Sequence, residues 1–168
     1  MSKQLAHTVY VSLGSNLGDR AGNLLLAIRG MMEAGLNVTC MSAIYETQPV
    51  GTGPQPDFLN MVAELTGNEL PEPEKLLARL LRVEYALGRR REVPLSPRTI
   101  DLDLLLYDDV VSDSEFLILP HPRLHTRRFV LAPLAELAPK LVHPKLQRPI
   151  ANLLAEVDDN SEVRVWKP

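Results

Sequence analysis

The chain has 168 residues, enough to bury one substantial core and too few for two ordinary domains, so one domain over 1–168 is expected. Its 45% hydrophobic and 23% charged residues exclude a disordered or fibrous protein, and a net charge of −3 excludes a general attraction to nucleic acid or anionic membrane. No run reaches the length of a membrane span, Met1-Ser2-Lys3-Gln4 lacks the order of a signal peptide, and Cys40, the one cysteine, excludes an internal disulfide and a Cys-based zinc site.

Cytoplasmic residence is therefore the expectation, with Cys40 a small core residue because its neighbours are apolar. A monomer is expected, although nothing in the sequence sets the oligomeric state. Thr8 to Leu13 is β-branched and apolar and stops at Gly14-Ser15-Asn16-Leu17-Gly18-Asp19, a strand running into a turn. Gly14 and Gly18 could cradle phosphate, but the Walker spacing is missing and a tight strand-to-helix turn is the favoured reading. Leu24, Leu25, Ala27, Ile28, Met31 and Met32 then recur at helical spacing until Gly35. Asn37 to Thr47 reads as a second strand, followed by a loop rich in Pro and Gly from Pro49 to Pro56.

In the third strand, Asp57 to Thr66, Leu59, Met61, Ala63 and Leu65 alternate toward a core and leave Phe58 and Asn60 on the other face. An aromatic beside an amide suits either an ordinary surface pair or a platform for a flat heterocycle, where Phe stacks and Asn reads an edge. Pro71 and Pro73 open a second helix with Leu76, Leu77, Leu80, Leu81 and Leu87 as its buried face; Gly88 ends it, and Glu84 reads as a solvated position. Ile100 to Tyr107 is a further strand.

The order strand, helix, strand, strand, helix, strand predicts an α+β, ferredoxin-like βαββαβ sandwich. A four-stranded antiparallel sheet would carry helices on one face and leave the other free for a site. A small C-terminal hairpin from Val110-Val111 and Phe116–Leu119, a helix through Leu137, a short helix from Pro149 to Val157 and a polar tail complete the expectation.

Nine of the thirteen arginines lie between Arg79 and Arg128, a bias that fits recognition of a small polyanion. Gly88 to Asp103 concentrates them around a proline-punctuated loop next to Asp101 and Asp103. Alternate residues of a strand share a face, so both carboxylates point one way. Paired carboxylates suit Mg²⁺, which keeps waters and takes phosphate oxygens as further ligands, while Arg98 and Arg89 could clamp those phosphates. An Asp-x-Asp pair is common, and a purely structural Arg–Asp network is the competing reading. His121, between prolines and near Arg127, is the best placed of the four histidines to meet phosphate.

Leu13-Gly14-Ser15-Asn16-Leu17-Gly18-Asp19, Tyr45-Glu46-Thr47, Pro56-Asp57-Phe58-Leu59-Asn60, Gly88-Arg89 and Pro97-Arg98-Thr99-Ile100-Asp101-Leu102-Asp103 occur in this order. With Pro120-His121-Pro122-Arg123 and the run Arg127 to Leu134, the chain resembles the 6-hydroxymethyl-7,8-dihydropterin pyrophosphokinases of the folate pathway from Val9 to about Val157.

The resemblance implies transfer of diphosphate from ATP to the pterin hydroxymethyl oxygen, with release of AMP. It also implies two Mg²⁺ on Asp101 and Asp103, and phosphates held by Arg89, Arg98, His121 and Arg127. Phe58 and Phe129 would sandwich the pterin, Asn60 and the backbone near Thr47 and Val50 would read its edges, and Glu84 would lie on the nucleotide side. The loops Pro49–Pro56 and Arg90–Ser96 would order on ligand binding. Leu95 or a neighbour stands where many members carry Trp, in a loop one residue shorter, with Gln48 where proline is frequent and Pro122 where Tyr often follows the histidine. A non-catalytic nucleotide-binding module of the same fold, or a kinase for another heterocyclic alcohol, are the alternative functions.

Overall fold

The computed structural model describes residues 5–49, 51–88 and 95–168. Its sheet is organised around β1 (His7–Ser15), which pairs antiparallel with β4 (Phe58–Gly67) on one side and β5 (Asp101–Tyr107) on the other. Central strands are apolar on both faces. Val9, Val11 and Leu13 enter one core with Leu59, Met61, Ala63 and Leu65, while Tyr10 and Val62 enter a second core on the opposite face.

Two helices cover the first face. In α1 (Arg20–Glu33) Leu24, Ala27, Ile28 and Met31 form a single buried stripe, and the Asp19 carboxylate caps the first turn by accepting the Gly22 N–H at 3.0 Å. α2 (Pro73–Ala86) buries Leu76, Leu80 and Val83, whereas Leu81, expected inside, is exposed. Each leucine removed fully from water contributes about 1.5–3 kcal/mol.

The strand expected over 37–47 is broken into β2 (Val38–Met41) and β3 (Tyr45–Thr47), both paired with β4. At the break the Ala43 N–H turns out of the ladder and donates to both Glu136 oxygens at 3.1 Å. Cys40 lies on β2 and is exposed, contrary to its expected core position, because β2 is an edge strand whose apolar neighbours do not cover it.

A hairpin forms as expected, but its first arm is β6 (Ser112–Asp113) rather than Val110-Val111, paired with β7 (Ile118–Leu119); beyond it α3 (Arg128–Leu137) and α4 (Ile150–Glu156) close part of the second face. The tail is not merely polar: β8 (Val163–Val165) pairs antiparallel with β3, so among the described residues the sheet has six strands rather than the expected four. No helix among the described residues is long and apolar enough to cross a membrane.

One irregularity sets what β5 presents. Val11 pairs with Leu104 and Tyr10 with Leu106, so Leu105 is an extra residue, a bulge. Leu102 and Leu104 therefore face the helices of the first core, Leu105 and Leu106 both enter the second, and Tyr107 returns to the first. On the second face, beyond Tyr10, β1 offers only Ser12 and Gly14, and a recess opens there.

Candidate active site

Across the recess the register aligns Asp101 with Gly14 and Gly14 with Asn60, while Asp103 lies opposite Ser12. Small residues on the central strand thus leave room between two carboxylates on one side and an amide on the other. The resulting cavity is about 440 Å³, within the range of small-molecule sites.

One end is neutral. Asn60 and Thr47 are buried, and the Asn60 amide donates from Nδ2 to Thr47 Oγ1 at 2.9 Å. An added Cβ on Gly14 would lie 2.9 Å from Asn60 Oδ1 and 3.6 Å from the Phe58 ring, so this glycine serves close approach between strands, not the turn expected of it. The turn falls to Gly18, at φ +70°. Phe58 and Phe129 line the same end, and the Arg127 guanidinium carbon lies 5.4 Å from the Phe129 ring centroid.

The other end is charged. Arg98 donates from Nη1 to Asp101 Oδ2 at 2.8 Å, and Asp103, Arg123 and Arg127 line the same wall. Burial, then the neighbouring Arg123 cation, push the Arg127 guanidinium below its ordinary pKa, with Asp103 and Asp101 opposing. Three crowded guanidinium groups form a ready receptor for a polyanion.

Fully buried Asn16 fixes that end: its backbone N–H donates to the Arg98 carbonyl at 3.0 Å and its Oδ1 accepts the Arg98 N–H at 2.7 Å. Its Nδ2 donates to Gln55 Oε1 at 3.1 Å and to the Pro56 carbonyl at 3.2 Å, and Gln55 donates from Nε2 to the Leu95 carbonyl.

Asp103 also borders a second cavity of about 380 Å³, whose walls include Leu77, Leu81, Phe116 and His121. His121 Nδ1 accepts the Arg123 N–H at 3.1 Å, which leaves the proton on Nε2 in the neutral ring. Burial, then the Arg127 and Arg123 cations, push its pKa down to about 4, with Asp101 opposing. His121 is therefore not in the wall of the first cavity with Arg127 but beside it, across Asp103.

Glu84 is 1% exposed rather than solvated, and it lines neither cavity. It lies beneath β5 and accepts the N–H of Leu102, the residue between the two aspartates, at 3.0 Å. Val50, Arg89 and most of the Arg90–Ser96 loop fall outside the described residues. Ser12, Arg123 and Thr126 line the first cavity without having been singled out as site residues. Alternation from Gly14 could have found Ser12, whereas no sequence spacing points Arg123 or Thr126 toward Asp103.

Among the described residues no group of three or more His, Cys, Asp or Glu could hold a metal ion. Two carboxylates on one face, without a third ligand of that kind, fit Mg²⁺ with water and phosphate completing its shell, and do not fit a protein-caged zinc.

A family model described as 7,8-dihydro-6-hydroxymethylpterin-pyrophosphokinase (HPPK) matches residues 10–139. The 2-amino-4-hydroxy-6-hydroxymethyldihydropteridine pyrophosphokinase of Bacillus subtilis is 43% identical over 159 residues, covering 94% of this chain and 89% of that protein. The protein of the same name from Aquifex aeolicus is 38% identical over 149 residues, with 89% and 91% covered. A crystal structure of Plasmodium falciparum HPPK-DHPS shares the fold with a TM-score of 0.72 at 14% identity; the match covers 92% of this chain and 46% of that one, so this chain spans about half its length.

Proposed function

The chain belongs to the 7,8-dihydro-6-hydroxymethylpterin-pyrophosphokinase family, and on that premise we propose that it transfers diphosphate from ATP to 6-hydroxymethyl-7,8-dihydropterin in folate biosynthesis. The observation that carries this reading is the division of one cavity into a neutral aromatic end and a charged end. Phe58 and Phe129 stack on the pterin ring, and Asn60, oriented by Thr47, reads its edge. The hydroxymethyl group then lies toward Asp101 and Asp103. Bound there, two Mg²⁺ would neutralise phosphate charge and draw together the attacking and leaving oxygens.

Arg98, Arg123 and Arg127 hold the phosphates in line for attack, joined by Arg89 from the family motif. Neutral His121 offers its Nε2–H without adding charge. The hydroxymethyl oxygen forms a bond to the β-phosphorus and gives up its proton to solvent water, and the bond from the β-phosphorus to the α,β-bridging oxygen breaks with its electron pair leaving on AMP. Such a step needs positioning and charge stabilisation more than covalent help. The apolar cavity across Asp103 suits the adenosine, since the phosphate chain would then pass Asp103 and His121 on its way to the pterin. We read β1 to β5 as a ferredoxin-like frame in which β2 and β3 together occupy the second strand's place, and the chain as a cytoplasmic monomer acting as one domain.

Phosphorus NMR of the protein with Mg·ATP and 6-hydroxymethyl-7,8-dihydropterin tests the reaction. AMP together with a pterin diphosphate is expected. Formation of ADP would make the protein an ordinary kinase, and ATP binding without turnover would favour the non-catalytic nucleotide-binding module.

A further inference from the structure

Two walls of the neutral end come from parts of the chain about 70 residues apart: β3 with its partner β4, carrying Thr47, Phe58 and Asn60, and the start of α3, carrying Phe129. The segment from Asp159 to Trp166, which lines neither of the two cavities at the site, is fastened to both walls.

At α3 the residue at the N-cap position, Arg127, makes no side-chain cap. Asp159 supplies one instead: its Oδ2 accepts the Arg128 N–H at 2.8 Å, its carbonyl accepts from Arg128 Nε at 2.7 Å, and its Oδ1 accepts the Ser161 N–H at 2.9 Å. A carboxylate at a helix N-terminus satisfies an orphan donor and meets the positive end of the helix dipole. Arg128 is thereby held on the tail side, and its neighbours Arg127 and Phe129 line the cavity.

At the other wall β8 pairs Val163 with Thr47, Arg164 with Glu46 and Val165 with Tyr45. Arg164 donates to Glu46 Oε1 at 2.8 Å, and Arg20 joins Glu46 Oε2 at 2.9 Å to the carbonyl of Asp57, the residue before Phe58, at 2.9 Å. The Trp166 N–H donates to the Ile44 carbonyl at 2.8 Å, closing the strap onto the break between β2 and β3.

We propose that residues 159–166 form a positioning strap for the pterin half of the site, with Asp159 setting the place of Phe129 and Arg164 the place of Thr47 and Phe58. Resting on the pyrophosphokinase reading, this assigns pterin affinity to side chains that touch no substrate. The charged end is held mainly by other means, through Asn16 and the β5 register, and shares only Arg127 with the start of α3, so loosening the strap acts more on the pterin than on ATP.

Asp159→Ala and Arg164→Ala separate these effects. The measurements are steady-state kinetics for both substrates and calorimetric binding of the pterin in the presence of a non-hydrolysable ATP analogue. Expected are a rise of about tenfold in pterin KM and Kd for Asp159→Ala and a smaller rise for Arg164→Ala; ATP KM and kcat stay within about twofold of the unaltered protein in Arg164→Ala, and in Asp159→Ala, where Arg127 shares the loosened start of α3, ATP KM rises less than pterin KM. Asp159→Asn, which keeps one acceptor for the Arg128 N–H, should recover part of the affinity and serves where the alanine variant folds poorly.

Pterin affinity unchanged in Asp159→Ala and Arg164→Ala, or both substrates weakened equally together with kcat, would overturn the proposal. The unaltered protein reports separately on the reaction itself. If it binds pterin and makes AMP while the variants show no split, only the strap falls; if it does not bind pterin, both readings fall.

Discussion

The two ends of the cavity are held by different forces. At the neutral end Thr47, Asn60, Gly14 and Phe58 are fitted to one another by a buried hydrogen bond and a contact that a single methyl group would fill. At the charged end Arg98, Arg123 and Arg127 crowd around Asp101 and Asp103, an arrangement completed by opposite charge from outside. Shape is settled before the ligand arrives at the first; at the second a polyanion relieves repulsion already present. The division matches a reaction in which one substrate must be recognised and the other neutralised.

The charged end offers the largest effect. Asp101→Asn and Asp103→Asn should each lower kcat by about 10²–10³-fold or more while circular dichroism and Tm stay close to those of the unaltered protein. Turnover near normal in either variant would remove the carboxylates from the chemistry.

Gly14→Ala attacks the neutral end alone. Its methyl group must displace the Asn60 amide, an overpacking cost of about 1–3 kcal/mol, so pterin KM should rise about tenfold with ATP KM little changed. Equal weakening of both substrates would mean that the two ends are not independent.

Glu84→Ala probes the support beneath them. Leaving the Leu102 N–H buried without this acceptor should cost about 1–3 kcal/mol of stability in urea unfolding, and Glu84→Gln, which retains an acceptor, should lose less. Equal stability of the alanine variant would show that this bond does not hold the strand.

The smallest effect is a titration. With its pKa pushed down to about 4, His121 stays neutral in the fold at pH 5 to 6, where an unfolded chain would protonate it. Its contribution to stability is therefore complete above about pH 6.5 and declines as the pH falls toward 4. Proton NMR should place the His121 midpoint well below 6.5 in the free protein, and nucleotide phosphates should raise it. A free midpoint near 6.5 would mean that neither burial nor the two arginines disfavour the charged ring.

Much of this was legible from local pattern. Asp101 and Asp103 share a face because strands alternate, and the same rule puts Phe58 and Asn60 on the face opposite Leu59 and Met61. What was hidden depends on partners distant in sequence. Cys40 looks buried among apolar neighbours, yet only the sheet order reveals that β2 is an edge. Val163–Val165 is too short and too mixed to read as a strand until β3 presents an open edge to it. Glu84 has the spacing of a solvated helix residue and is buried because β5 crosses above it. Gly14 signals a turn by composition, and its use emerges only when Asn60 comes alongside.

The bulge at Leu105 gives β5 a joint. Ahead of it odd-numbered residues look into the cavity; behind it the parity reverses, and Leu106 takes the face that Asp103 held. Removing Leu105 would therefore leave every other side chain of the strand on its present side, whereas removing any of residues 102 to 104 would turn part of the strand over. Yet Leu105 is not idle slack, because its carbonyl accepts the His121 N–H at 2.9 Å. The surplus residue is the mooring that brings a histidine from far along the chain alongside the aspartates, so the strand's length is adjustable at one point and the histidine's berth is the cost of adjusting it.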